Sequence, residues 1–338
     1  MRLFSFWMYY TLASSKTSFG DDHDDSFQET FKILAVAGKL DKDGYNLTSD
    51  VELINPFVLN SNCTKPANYP LKTSDITGRG GIICGGGFEN TFNDCFEYSY
   101  QNQTWLSVGR LNDQRYGASS VFLNGNYWIT GGGLLNGRLS LVTSEMLKGK
   151  HSPFIRSSDL PEQMRHHCMS VVNDTHVFIA GGDWSWKSTY LVDISVEPFI
   201  FNKLPPMMES RSGAACGTIV WPYLSSFSIR TNDFLVIVAG GQSYGSTDSS
   251  TTSEFYSPLA NVWVSGPILP RGFINGGYFT TRQFSLVMVG GKDENGNERS
   301  DVMALGSVMG RIEFLPGKLK TPREAFAAIE IITDEECS

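Results

Sequence analysis

Five arginines recur at the heads of apolar runs, as Arg115-Tyr-Gly, Arg165-His-His, Arg211-Ser-Gly, Arg271-Gly-Phe and Arg323-Glu-Ala. A guanidinium offers a planar fork of donors that matches carboxylate, phosphate and sulfate oxygens. Gathered around one axis, the five would form a positive collar in a chain whose formal net charge is −8. Such a collar suits carboxylates, acidic peptides, and sulfated or sialylated glycans. The competing reading is that each arginine is spent on a Glu or Asp of a neighbouring structural unit.

Other chemistry is thinner. The five histidines are His23, His151, His166, His167 and His176. His166 and His167 are adjacent, so on a strand they face opposite ways, and no spacing brings two histidines and a tyrosine together as a copper site requires. Nucleophile elbows, phosphate-cradling loops and C-x-x-C pairs are all missing. No cofactor or metal site is therefore expected, and the chain reads as a binding module more readily than as an enzyme. The acidic balance, with a pI near 5.2, repels phosphate backbones and argues against nucleic acid.

Six cysteines suit an oxidising compartment. Cys84 and Cys95 fall on facing strands of one expected hairpin, and Cys168 and Cys216 on the inner strands of two successive units. Cys63 and Cys337 are left over as a third candidate pair, and buried free thiols are the alternative for any of them. Sequons begin at Asn46, Asn62, Asn102 and Asn173, in expected loops or outer strands. Arg2 followed by the apolar run Leu3–Ala13 and small residues reads as a signal peptide over 1–15. An acidic flexible segment is expected over 16–30 and a short tail over 333–338. No later stretch is apolar enough for a membrane span. The expectation is a secreted, extracellular monomer.

What must position these residues is a repeat. Apolar runs ending in glycine recur at Gly38, Gly85, Gly131, Gly181, Gly240 and Gly290, spaced 47, 46, 50, 59 and 50 residues apart. From the second copy on the glycine is doubled. An acidic residue follows 12 to 14 positions later in a second β-run, at Glu52, Glu97, Glu145, Asp193 and Glu254, with Trp105 and Trp263 beyond two of them. Runs rich in Val, Ile, Phe and Ala without clean alternation suit strands buried on both faces.

Over residues 31–332 this order of marks resembles the kelch repeat, whose period is near 50 residues. The copies are degenerate: four lack the tryptophan, the first has one glycine, and the second lacks the leading arginine. The resemblance implies an all-β, six-bladed propeller, with blades at 31–75 plus 323–332, 76–113, 114–162, 163–209, 210–269 and 270–322. Arg323–Ile332 is then the innermost strand of blade 1, closing the ring. The resemblance also implies a protein or glycan ligand met at one mouth, with Arg115, Arg165, Arg211, Arg271 and Arg323 as the contact residues. Its rival is a secreted propeller enzyme acting on sugars, either a copper oxidase or a sialic-acid-processing enzyme.

Overall fold

The computed structural model describes residues 31–41, 46–87, 90–134, 140–149, 152–281, 283–306, 310–332 and 337, apart from 221–233. The expected signal peptide and acidic segment, and with them His23 and His151, lie outside the described residues. The described residues contain no helix; they form six antiparallel sheets.

Blade 1 holds β1 (Phe31–Lys39) and β2 (Leu47–Ile54). Blade 2 runs β3 (Thr77–Arg79), β4 (Ile82–Cys84), β5 (Asp94–Ser99) and β6 (Thr104–Arg110). Blade 3 runs β7 (Ser119–Leu123), β8 (Asn126–Thr130), β9 (Ser144–Lys148) and β10 (Phe154–Arg156). Blade 4 runs β11 (Cys168–Val171), β12 (His176–Ala180), β13 (Thr189–Asp193) and β14 (Ile200–Lys203). Blade 5 runs β15 (Ala215–Val220), β16 (Phe234–Ala239), β17 (Ser253–Ser257) and β18 (Val262–Ser265). Blade 6 runs β19 (Gly277–Phe279), β20 (Phe284–Val289), β21 (Asp301–Gly306) and β22 (Ile312–Lys318). The last strand, β23 (Ala327–Ile332), returns to blade 1 and pairs with β1 from Phe31↔Ile332 to Val36↔Ala327. The ring is closed by its C-terminal strand, which covers the inner edge of β1.

The unpatterned strands are explained by what lies between the sheets. Six apolar clusters occupy the six interfaces between successive blades. Ile83 of blade 2 packs with Leu34 of blade 1, and Met169 of blade 4 with Trp128 of blade 3. Every strand near the axis is therefore covered on both faces.

The doubled glycine makes the joint between blades. In blade 4, Gly181 and Gly182 take φ of +65° and +96°. A Cβ on either would sit 2.4–2.5 Å from a carbonyl oxygen, of Arg211 in the next blade or of Arg165 in its own. The second glycine, or the lone Gly38 in blade 1, donates its N–H to the next blade in all six joints, from Gly38 to Thr73 O (3.1 Å) through to Gly291 to Arg323 O (2.9 Å).

All three cysteine pairs are joined. Cys84–Cys95 bridges β4 and β5, Cys168–Cys216 links the inner strands of blades 4 and 5, and Cys63–Cys337 ties the segment after β2 to the C-terminal tail.

Candidate functional site

The open collar does not form. Arg115, Arg211 and Arg323 are buried, with at most 1% of their surface exposed. All three bond the same groups within their own blade. Arg115 Nη1 donates to the Gly131 and Thr143 carbonyls (2.6 and 3.0 Å), and Nη2 pairs with Glu145 at 2.7 Å. Arg211 Nη1 likewise donates to the Gly240 and Thr252 carbonyls (2.6 and 3.1 Å), and its Nε pairs with Glu254 at 3.1 Å while Nη2 pairs with Glu209. Arg323 repeats the Arg115 pattern with Ala37, Asp50 and Glu52. Each glutamate also accepts two backbone N–H groups from the crossover entering its blade: Asn112 and Asp113, Met208 and Glu209, Lys320 and Thr321. These are latches, with carboxylate and guanidinium both occupied inside the protein.

The other two arginines fall out of register. The residue bonded through its carbonyl to the second glycine is Met164 in blade 4 and Phe273 in blade 6. Arg165 is displaced by one position and Arg271 by two. Arg271 lies outside, about half exposed, 3.7 Å from Asp301. Arg165 stands at the rim of the channel.

The rim is built on a ring of turns. Asp75, Gly117, His166, Gly213, Asn275 and Ala325, one before each inner strand, have φ between +53° and +66°. Each donates its N–H to the carbonyl of the one before it, and Asp75 donates to Ala325, in bonds of 2.6–3.0 Å. Six peptide units thus join head to tail around the axis.

The side chains on that ring form an alternating chain of charge. Arg165 bonds Asp183 through Nε and Nη2 (2.9 and 2.6 Å), covers the Tyr116 ring and donates to its hydroxyl. His166 lies between Asp183 (3.3 Å) and Asp75 (3.4 Å). Lys39 reaches Asp75 at 3.4 Å, and Lys292 reaches Glu324 at 2.6 Å. Burial opposes the imidazolium, but the two aspartates outweigh it and lift the His166 pKa to about 9. Burial likewise opposes Asp75 and Asp183, yet His166 holds both well below the usual carboxylate range, helped by Lys39 at the first and by Ser212 and Arg165 at the second. Burial, with His166 and Arg115 nearby, pushes His167 down to about 3, and its neutral ring hydrogen-bonds Thr130 at 2.8 Å. A cationic imidazole held by two anions ties blade 4 to the turn that carries Asp75 and offers no free base. Among the described residues, no three His, Cys, Asp or Glu side chains converge as a metal site requires.

Below the rim the channel is barred. Tyr278 of blade 6 crosses it: its hydroxyl accepts the Met169 N–H of blade 4 at 3.0 Å and lies 3.4 Å from Ser119 Oγ of blade 3. Arg79 of blade 2 stacks on the ring, 4.5 Å from its centroid. The space above this bar is about 90 Å³, room for a few waters and small beside an ordinary ligand pocket.

The exposed feature on this face is aromatic. Trp184, directly after Asp183, is 62% exposed with φ +74°, and Tyr244 is 76% exposed. Trp186 packs edge-on against Tyr244, with ring centroids 5.3 Å apart. Lys187 beside them donates to the Met208 carbonyl at 2.6 Å. This patch joins the loop after Gly182 in blade 4 to the polar Gln242–Ser253 loop of blade 5. The signal in the sequence was Trp184-Ser-Trp186 following the doubled glycine. The four sequon asparagines, Asn46, Asn62, Asn102 and Asn173, are all exposed.

No family model matches the chain, and no curated protein does so either. Among solved structures it is similar to that of YjhT, with a TM-score of 0.65 and 14% sequence identity over 83% of this chain and 97% of the other. At that identity the likeness speaks for the architecture alone: the chain is a six-bladed β-propeller.

Proposed function

We propose that the chain is an extracellular, kelch-type binding propeller that meets a protein or glycan ligand on the aromatic surface between blades 4 and 5. The observation that carries this reading is the exposure of Trp184 and Tyr244 on loops anchored to a rigid rim. Rigid aromatic side chains give large contact area at low entropic cost and are over-represented where proteins bind. The charged rim beside them is internally paired, so it supplies orientation more than net charge. Three disulfides and four exposed sequon asparagines support an oxidising, secretory route. No helix of the described residues is long and apolar enough to cross a membrane.

The test is a binding screen of the secreted protein against arrays of extracellular glycans and cell-surface ectodomains, repeated with Trp184→Ala/Tyr244→Ala. The double variant should melt at nearly the wild-type temperature and lose at least tenfold in affinity for whatever the wild type captures. Equal capture by both proteins would move the site elsewhere.

A further inference from the structure

Outside the channel, on the flank of the loop after Gly182, lies a groove of about 370 Å³, within the range of small-molecule sites. Trp184, Trp186 and Lys187 form one wall; Lys203, Leu204 and Pro206, at and after the end of β14, form the other. The first wall is preformed. Gly181 donates its N–H to the Ser188 carbonyl at 2.9 Å, Met207 to that of Lys187 at 3.0 Å and Arg211 to that of Trp186 at 2.8 Å, so the loop is pinned on both sides. Trp184 sits in it with φ +74°, a region that bulky residues rarely adopt, and remains 62% exposed.

No carboxylate lines this groove. Both lysines are exposed, and among the described residues neither has an Asp or Glu within 4.0 Å. Lys187 spends one of its three donors on the Met208 carbonyl, and Lys203 lies over the Tyr190 ring, 6.0 Å from its centroid. The acids that adjoin them are engaged elsewhere: Asp183 with Arg165 and His166, Glu209 with Arg211 and Thr252, and Glu162 with the Tyr190 hydroxyl. In a chain of net charge −8, two cations without a counter-ion beside two tryptophans make a local surface that favours an anion.

We propose that the groove binds an acidic saccharide: a pyranose ring packs its C–H face on an indole, and a carboxylate or sulfate on that sugar or its neighbour meets Lys187 and Lys203. The face of an indole carries the negative side of the ring quadrupole, so it attracts polarised C–H bonds as well as covering apolar surface. A peptide of Asp and Glu offers the lysines the same charge but no rigid face to stack. The inference rests on the reading that the aromatic surface of blades 4 and 5 is the binding face, and adds the class of ligand it takes.

Calorimetric titration with a heparin tetrasaccharide, a hyaluronan tetrasaccharide, chitotetraose and hexaglutamate tests it. At least one of the two acidic sugars should bind at millimolar concentration or below, and neutral chitotetraose at least tenfold more weakly. Preference for heparin assigns the anion as sulfate, and preference for hyaluronan as carboxylate. Lys187→Gln with Lys203→Gln should weaken the acidic sugar at least tenfold with an unchanged melting temperature, and so should Trp184→Ala. No acidic-sugar binding at tens of millimolar, hexaglutamate binding as tightly, or full affinity in a folded double-lysine variant would overturn the proposal. Chitotetraose binding equally well and depending on Trp184 would overturn the ligand class and leave the aromatic surface standing. Acidic-sugar binding untouched by Trp184→Ala would overturn both. Because the four probes are compared on the unaltered protein, the test stands even if a variant does not fold.

Discussion

In blades 1, 3 and 5 a buried guanidinium occupies the position where blades 2, 4 and 6 carry Thr73, Met164 and Phe273. The facing position on the third strand changes with it. Where the first set has Glu52, Glu145 and Glu254, the second has Phe96, Tyr190 and Met303. The same joint is thus made twice, once by a satisfied ion pair and once by packing, in strict alternation. Blade 4 even replaces one of the arginine's bonds: Ser185 Oγ donates to the Gly181 carbonyl at 2.7 Å, where Arg115 serves Gly131 and Arg211 serves Gly240. The arginines therefore answer an unsatisfied-carbonyl problem, and an apolar side chain plus one hydroxyl is a second solution to it.

The largest effect should come from removing one latch together with the strand behind it. Deleting 323–332 takes away Arg323 and β23, and is expected to give insoluble protein or a non-cooperative melt by near-ultraviolet circular dichroism. A cooperative melt close to the full-length temperature would mean that blade 1 does not need its inner strand. Next is the single substitution Arg115→Met, which strands Glu145 without its counter-ion. It should cost about 3–5 kcal/mol in denaturant unfolding, as losing one partner of a buried pair does. A cost below about 1 kcal/mol would show the two kinds of blade to be equivalent already.

Blade 4 makes a third prediction, because its ion pairs sit on His166 instead. The folded pKa near 9 lies above the ordinary 6.5. Its contribution is full below pH 6.5 and is lost as the pH rises through 9, by about 3 kcal/mol in all. Stability measured from pH 6 to 10 should fall by that order, and His166→Gln should flatten the curve. The sharper form of the comparison is to convert one kind of blade into the other. Arg115→Met with Glu145→Tyr copies the Met164/Tyr190 pair of blade 4 and should recover more than half of what Arg115→Met alone loses. If the double variant is no better than the single, the latch is specific to its blade. Smallest of all, Arg271→Ala should shift stability by no more than about 0.5 kcal/mol, since its side chain is about half exposed and its contact with Asp301 is long, at 3.7 Å.

The doubled glycines made the blade count legible, because only a close backbone approach requires glycine at that spacing. The last strand was legible too, as a piece missing from the first copy and present at the end. The register of the arginines was not. Arg115, Arg211 and Arg323 lie two residues before a left-handed turn, whereas Arg165 lies one before His166 and Arg271 four before Asn275. What fixes the phase is the turn residue, and Asp75, His166, Asn275 and Ala325 do not announce a positive φ as glycine does. Glu97 and Asp193 mislead in the same way, each near the latch position of a blade that has no latch. The Tyr278 bar lay beyond reach for a different reason. Its hydroxyl meets Met169, 109 residues away, and no local pattern encodes a contact across a channel.

The Cys63–Cys337 bond bears on how the molecule responds to force. It spans a sequence separation of 274 residues, so tension applied between residue 31 and residue 337 is shunted past five blades and never reaches them. Only 31–63 can pay out, about 110 Å at full stretch, where the reduced chain would release about 1,000 Å. A propeller held in this way yields its first two strands and then behaves as an inextensible knot. Such a molecule would keep blades 2 to 6 folded under loads that had already peeled β1 away from β23.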